Sequence, residues 1–337
     1  MSNAFRKLAT IRRIREIKPI ENADRLELAV IDGWQVIVNK GEYTTGSTVV
    51  FCEIDSWIPH ELAPFLSKGK EPREFNGVKG ERLRTVKMRG ALSQGLVLPV
   101  SVLQHGGFDG DDVTELLGIQ KYEKPIPASL RGQVRGNFPA AIPKTDQERI
   151  QNLVDKFDEL KKRHIWSVTE KLHGSSCTFY LDQNGEFRVC SRNLDLKEDQ
   201  TNAYWRAARK FDIEAKMRQQ NLLGFAIQGE LLGQGINGNN YGVELEFKAF
   251  DLYNENTGYC TPHEFLDAMR KMGIDTVPFE STLIQLADDL TIERLLELAD
   301  GKSQIADVPR EGFVFVSARE PWVSFKVVSN AWLQRYE

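Results

Sequence analysis

The stretch from Tyr122 to Pro143 carries Pro125, Pro127, Pro139 and Pro143 together with Gly132 and Gly136. Proline removes a backbone donor and glycine weakens a packed element, so this composition favours extended chain over regular structure. A chain of 337 residues also exceeds one ordinary core. The expectation is two units, residues 1–120 and 145–337, joined by a linker at 121–144.

The first unit reads as all β. Leu26 to Ile31, Trp34 to Val38, Ser47 to Ile54, Arg82 to Met88 and Gly95 to Val100 are short β-rich runs bounded by turn residues. Asp32-Gly33 reads as a two-residue hairpin turn, because both positions tolerate positive φ. This spacing suits an OB-type β-barrel, with Trp34 and Trp57 in its core.

The second unit alternates strands and helices. Thr145-Asp146-Gln147-Glu148 has the capping-box pattern, with Ile150, Leu153, Val154, Phe157 and Leu160 following at helical spacing. Ser167-Val168-Thr169 reads as the end of a strand and Gly174-Ser175-Ser176 as a turn, which puts Lys171 at a strand-to-loop junction. Strands follow at Thr178 to Leu181 and Phe187 to Ser191, then a helix over roughly Ala203 to Asn221 and strands ending at Glu230 and Asp251. Thr261-Pro262-His263-Glu264 starts a helix that Gly273 stops, and Thr291 to Ala299 forms a short acidic one. Strands Gly312 to Ser317 and Val323 to Val328 complete an α+β unit of mixed or antiparallel sheet.

A net charge of −4 argues against a protein that coats nucleic acid over its whole surface. The cations are clustered, however: Arg6, Lys7, Arg12, Arg13, Arg15 and Lys18 crowd the start, and Arg82, Arg84, Lys87 and Arg89 line a strand and its exit. There they can track phosphates. Cys52, Cys177, Cys190 and Cys260 form no CxxC pair, so neither zinc nor a disulfide framework is indicated. His60, His105, His164 and His263 are isolated. No run of about 18 apolar residues and no signal-peptide stretch is present, so a protein of the cytoplasm, or of an organelle or the nucleus, without a membrane partner is expected.

Lys171-Leu172-His173-Gly174 is followed in order by Ser191-Arg192-Asn193, Gly229-Glu230-Leu231, Phe247-Lys248-Ala249-Phe250-Asp251-Leu252, Glu311-Gly312-Phe313-Val314 and Ser324-Phe325-Lys326-Val327-Val328. In that order the motifs resemble the covalent nucleotidyltransferase superfamily of polynucleotide ligases and capping enzymes, and the KxHG form looks like its RNA ligases. Pro19 to Leu26 and Met88 to Leu96 resemble the signatures of OB tRNA-binding modules. With the OB module first, the whole chain resembles the Deinococcus-type ATP-dependent RNA ligases.

The resemblance implies an N-terminal OB-type RNA-binding domain followed by a nucleotidyltransferase (ATP-grasp-like ligase) domain. It implies ATP with Mg2+ or Mn2+, and RNA as a nicked duplex or broken structured strand. A monomer is expected. Lys171 would form the lysyl-adenylate, which requires an unprotonated amine although a free lysine has a pKa of about 10.4. Lys248 and Lys326 are candidate like charges to lower it. Glu311 would hold the metal, and Glu230 the ribose or the metal. Arg192 would grip the ribose, Lys326 the α-phosphate and His173 the phosphate end. Phe250 would stack on adenine, with Val314 or Phe313 on its other face and Glu170 at its edge. Val328 stands where several RNA ligases have a second lysine. Two other readings share some of these features: a capping guanylyltransferase, which would use GTP, and a non-catalytic RNA-binding OB protein.

Overall fold

Alternation decides how the first unit packs. In the computed structural model, which describes residues 7–123 and 132–336, strand Thr48–Glu53 is buried at every position after its first. Val49 and Phe51 enter one core beside Ile14, Ile31 and Trp34, and Val50 and Cys52 enter a second beside Ile11, Ile58 and Leu98. Four consecutive apolar residues, Val49 to Cys52, can serve both cores because successive side chains point to opposite faces. It pairs antiparallel with Ala9–Arg13 on one edge and Gly95–Pro99 on the other.

The Asp32-Gly33 turn joins Leu26–Ile31 to Trp34–Asn39 with φ of 47° and 84°, the left-handed pair a tight hairpin requires. Trp34 and Trp57 are both buried, as expected. Among the described residues the strands of this unit lie in open sheets, so the expected OB-type arrangement is present without full closure. Nor is Arg82 to Met88 one strand. Val78–Arg82 pairs with Ser56–Pro59, whereas Val86–Met88 belongs to a separate hairpin with Ala91–Ser93.

The described residues form two compact units, 7–123 with 333–336 and 132–332. The second unit has two sheets. One is antiparallel and seven-stranded, in the order Val134–Asn137, Leu194–Leu196, Phe187–Ser191, Ser175–Leu181, Phe225–Leu232, Glu246–Asn254 and Gly258–Tyr259. The other has five strands, in the order Glu148–Arg149, Ser324–Val328, Gly312–Ser317, Ile165–Lys171 and Phe279–Gln285, with only its first pair parallel.

Helices cover one face of each sheet. Trp205, Ala208, Met217, Phe265 and Met269 pack on the larger sheet, and Phe157, Ile292, Leu295 and Leu296 pack on the smaller. The opposite face of the larger sheet carries smaller clusters, Tyr180 and Ala226 with Ile142, and Leu232 and Phe250 with Leu172 and Tyr241.

Several elements differ from expectation. Of the 121–144 linker, residues 132–144 join the second unit: Val134–Asn137 adds an edge strand, and the Pro143 carbonyl accepts from the Gln228 side chain at 2.8 Å. Proline keeps its acceptor, and a sheet edge does not need its donor. The capping box at Thr145 does not form. The Thr145 hydroxyl contacts the Ser176 hydroxyl at 2.7 Å, Glu148–Arg149 is extended, and a 3-10 turn precedes helix Phe157–Arg163.

The helix expected over Ala203 to Asn221 is two, Ala203–Lys210 and Ile213–Gln219, broken where Asp212 takes φ 51°. The Thr261 capping box and the Gly273 stop are both present.

Candidate active site

Lys171 is the last residue of its strand in the five-stranded sheet, and Ser175 is the first residue of a strand in the seven-stranded one. The KLHG turn therefore crosses between sheets, which leaves the lysine at their junction. Gly174 is required there by space. A Cβ on it would lie 2.3 Å from the Leu231 carbonyl oxygen and 2.7 Å from Leu232 Cδ2.

Lys171 Nζ is 2.7 Å from Glu311 Oε1, and His173 Nδ1 is 3.7 Å from Glu311 Oε2. The His173 ring packs at 4.7 Å from Trp332. Glu230 reaches the same turn from the larger sheet, accepting the Gly174 N–H at 2.8 Å. Burial pushes the Glu230 carboxyl up to about 7; Lys171 opposes the shift and Glu311 adds to it. For Glu311 burial acts in the same direction, but the adjacent Lys171 and His173 outweigh it and its pKa falls below the usual value. The two carboxylates thus sit in different protonation regimes around one amine.

Register settles which faces the remaining candidates occupy. Thr169 lies opposite Val314, and Val314 opposite Lys326, one side-chain step from the Lys171–Gly312–Val328 row. Val314 and Lys326 therefore share the Lys171 face, with Arg149 aligned next to Lys326. Phe313 is one residue out of phase and belongs to the helix-covered core, which removes it as a wall of this site.

Glu170 lies opposite Phe313 on that covered face. Its carboxylate accepts the Gln304 N–H at 2.8 Å and burial raises its pKa, so its side chain does not share the Lys171 face.

On the larger sheet Glu230 lies opposite Lys248. Lys248 Nζ is 3.1 Å from Glu246 and 3.0 Å from Asp275, so its charge is locally neutralised. The expected role of Lys248 as a like charge acting on Lys171 is thereby weakened. Phe247 packs in the core against Phe179. Phe250, three residues on, falls on the opposite face by alternation, with Leu172, Tyr241 and Val277. Arg192 is exposed and ion-paired to Asp146 at 2.5 Å.

Sequence reasoning missed Asn237, Tyr241 and Trp332 at the turn, and Arg149 in the Lys326 row. None lies in a recognisable motif; the asparagine- and glycine-rich composition of 233–242 was the one available signal.

In the first unit Arg82 is tied to Asp55 at 2.5 Å and lies 4.9 Å over the Tyr122 ring. Its charge serves the fold, which separates it from the other expected phosphate contacts. Arg84, Lys87 and Arg89 are exposed on or beside the Val86–Met88 hairpin. All four cysteines are free, three of them buried. Among the described residues no helix is long and apolar enough to cross a membrane.

A lysine ion-paired to a buried glutamate between two sheets, in a chain that also carries an open β-sheet unit, has the parts of a covalent nucleotidyltransferase. Residues 164–328 match the RNA ligase family model, and residues 8–100 match an OB-fold domain model. The structure is similar to Naegleria gruberi RNA ligase solved as an apo mutant, with 40% identity over 98% of both chains and a TM-score of 0.84. A mutant of that ligase with ATP and Mn gives the same identity and a TM-score of 0.84, covering 98% of this chain and 99% of that one. Its pyrophosphate complex gives 0.83 at the same identity and coverage. No curated protein matches in sequence. The chain belongs to the RNA ligase family.

Proposed function

We propose that the protein is an ATP-dependent RNA ligase that joins a 3′-hydroxyl to a 5′-phosphate through an adenylate carried on Lys171. The observation that carries this reading is the pairing of the Lys171 amine with Glu311, with Glu230 on the adjoining turn. In the first step the amine nitrogen attacks the α-phosphorus of ATP. The ammonium first gives one proton up to solvent; the neutral amine then forms the N–P bond as the bond to pyrophosphate breaks, and its second proton leaves with the pyrophosphate. AMP then passes to the 5′-phosphate, and the 3′-hydroxyl displaces it.

Other groups serve binding. Lys326, on the Lys171 face, is placed to meet phosphate charge, and Arg149 is aligned beside it where Val328 offers none. Phe250 and Val314 project from the two sheets as walls for adenine, Arg192 meets the ribose, and Glu170 acts near the base through its backbone.

The donor set fits a divalent ion: Glu311 Oε2 is buried without a hydrogen-bond partner, and carboxylate oxygens are what Mg2+ or Mn2+ takes. Glu311 and Glu230 would hold it, and when bound it would neutralise charge on the phosphate oxygens.

The OB unit ahead of the ligase unit supports placement with the Deinococcus-type enzymes, and with it a preference for RNA on the 3′-hydroxyl side of a nick. Arg84, Lys87 and Arg89 then contact the strand. Incubation with α-labelled ATP or GTP tests the chemistry: the parent should take label from ATP, and Lys171→Ala should take none. Label from GTP alone would indicate a capping enzyme, and no adduct would indicate a binding protein. Equal sealing of all-DNA nicks would refute the strand preference.

A further inference from the structure

The segment Gly233 to Gly242, GQGINGNNYG, joins the strand that carries Glu230 to the strand that carries Phe250. Its backbone is specialised. Asn237, Gly238 and Asn239 have φ of 39°, 79° and 48°, three successive left-handed residues, a conformation that glycine and asparagine adopt at low cost and other residues resist.

This conformation aims two side chains at the lysine turn. The Asn237 amide donates to the Gly174 carbonyl, and the Tyr241 hydroxyl accepts the His173 N–H at 2.8 Å. With Glu230 accepting the Gly174 N–H, three backbone groups of the turn are held from outside it.

The loop that supplies these contacts is itself anchored. Ile236 is buried in the core of the larger sheet, Asn239 bonds the Val243 carbonyl at 3.0 Å, and Tyr241 packs with Leu172, Leu232 and Val277.

The turn needs such support. Lys171 is the last paired residue of its strand and Ser175 the first of the next, so 172–174 have no sheet partner. We infer that Asn237 and Tyr241 are positioning residues: they hold the Lys171–Gly174 turn so that the amine points at the nucleotide phosphate. This inference rests on the lysyl-adenylate reading above, and it assigns the loop to the first chemical step alone.

Asn237→Asp keeps the size and the left-handed tolerance but replaces the donor with an acceptor, and Tyr241→Phe removes the hydroxyl. Each should slow single-turnover adduct formation at saturating ATP and metal by about tenfold or more, since small displacements of a nucleophile cost this much. Sealing of a nick that already carries a 5′-adenylate, measured without ATP, does not use the lysine as nucleophile. It should stay within about twofold of the parent, as expected when only one step loses an interaction.

Equal losses in both steps would show a general structural role and overturn the inference, as would unchanged adduct formation. Asn237→Gly retains the backbone freedom and lacks the donor, and it carries the test if the aspartate variant has a lowered thermal midpoint. Absence of adduct in the parent would instead sink the lysyl-adenylate reading.

Discussion

Gly174→Ala perturbs the geometry of the lysine turn without replacing any charged group. An added Cβ would lie 2.3 Å from the Leu231 carbonyl oxygen, 2.7 Å from Leu232 Cδ2 and 3.0 Å from Glu230 Cγ, whereas ordinary contact begins near 3.4 Å. Leu231 is a paired residue in the middle of the sheet and its carbonyl cannot retreat, so the turn must move by about 1 Å. The Gly174 N–H bond to Glu230 would lengthen with it, and Lys171 would shift relative to Glu311. A 1 Å misplacement of a reacting group costs on the order of 100-fold in rate, and overpacking of this kind costs about 1–3 kcal/mol in stability. The assay is the rate of labelled adduct formation in a single turnover, with the thermal midpoint measured in parallel. A variant that forms adduct within threefold of the parent rate would refute the claim that this turn sets the direction of the amine.

Three further outcomes follow from particular contacts. In metal-free protein Glu230 has a carboxyl raised from its ordinary value to about 7, so its neutral form is favoured by folding; the stability it contributes is full below the ordinary value and is lost as pH rises through 7. Glu230→Gln should flatten the fall in thermal midpoint between pH 5 and 8, and an unchanged slope would count against this assignment. Arg310 donates to the carbonyls of Leu298, Ala299 and Asp300 at the end of helix Ile292–Ala299 and lies 4.0 Å over the Phe313 ring. Arg310→Ala should cost about 2 kcal/mol in denaturant unfolding, and Arg310→Lys should recover little, because the planar fork is what reaches several carbonyls. Arg84→Glu with Arg89→Glu should weaken binding to a nicked RNA duplex and lower its salt slope by about 1–2 while leaving adduct formation unchanged; parallel loss of adduct would refute this division of labour.

Local chemistry was sufficient for some elements. Asp32-Gly33, the Thr261 cap and Gly273 were legible because each rests on residues adjacent in the chain. Phe187 to Ser191 was legible because alternation and turn residues bound it on both sides. The linker and the helix after Thr145 were misread because a neighbouring strand offered partners that no local pattern reveals. Thr145 met Ser176, and Pro143 met Gln228.

The site divides in the same way. The order of motifs along the chain pointed to Lys171, Glu230, Glu311 and Lys326, since nucleotidyl transfer needs a nucleophile, carboxylates and a phosphate-facing cation. Faces and partners required the sheets. Alternation alone put Phe247 and Phe250 on opposite faces, but strand register was needed to put Val314 on the Lys171 side and Phe313 in the core, and a bulge in Glu246–Asn254 returned Leu252 to the core. Asn237 and Tyr241 come within hydrogen-bonding distance of residues more than 60 positions away only when the two strands have paired. Residue identity along the chain therefore determined which chemistry was available. The tertiary structure decided which groups meet, because side-chain direction in a sheet depends on pairing and bulges that the sequence encodes only through long-range contacts.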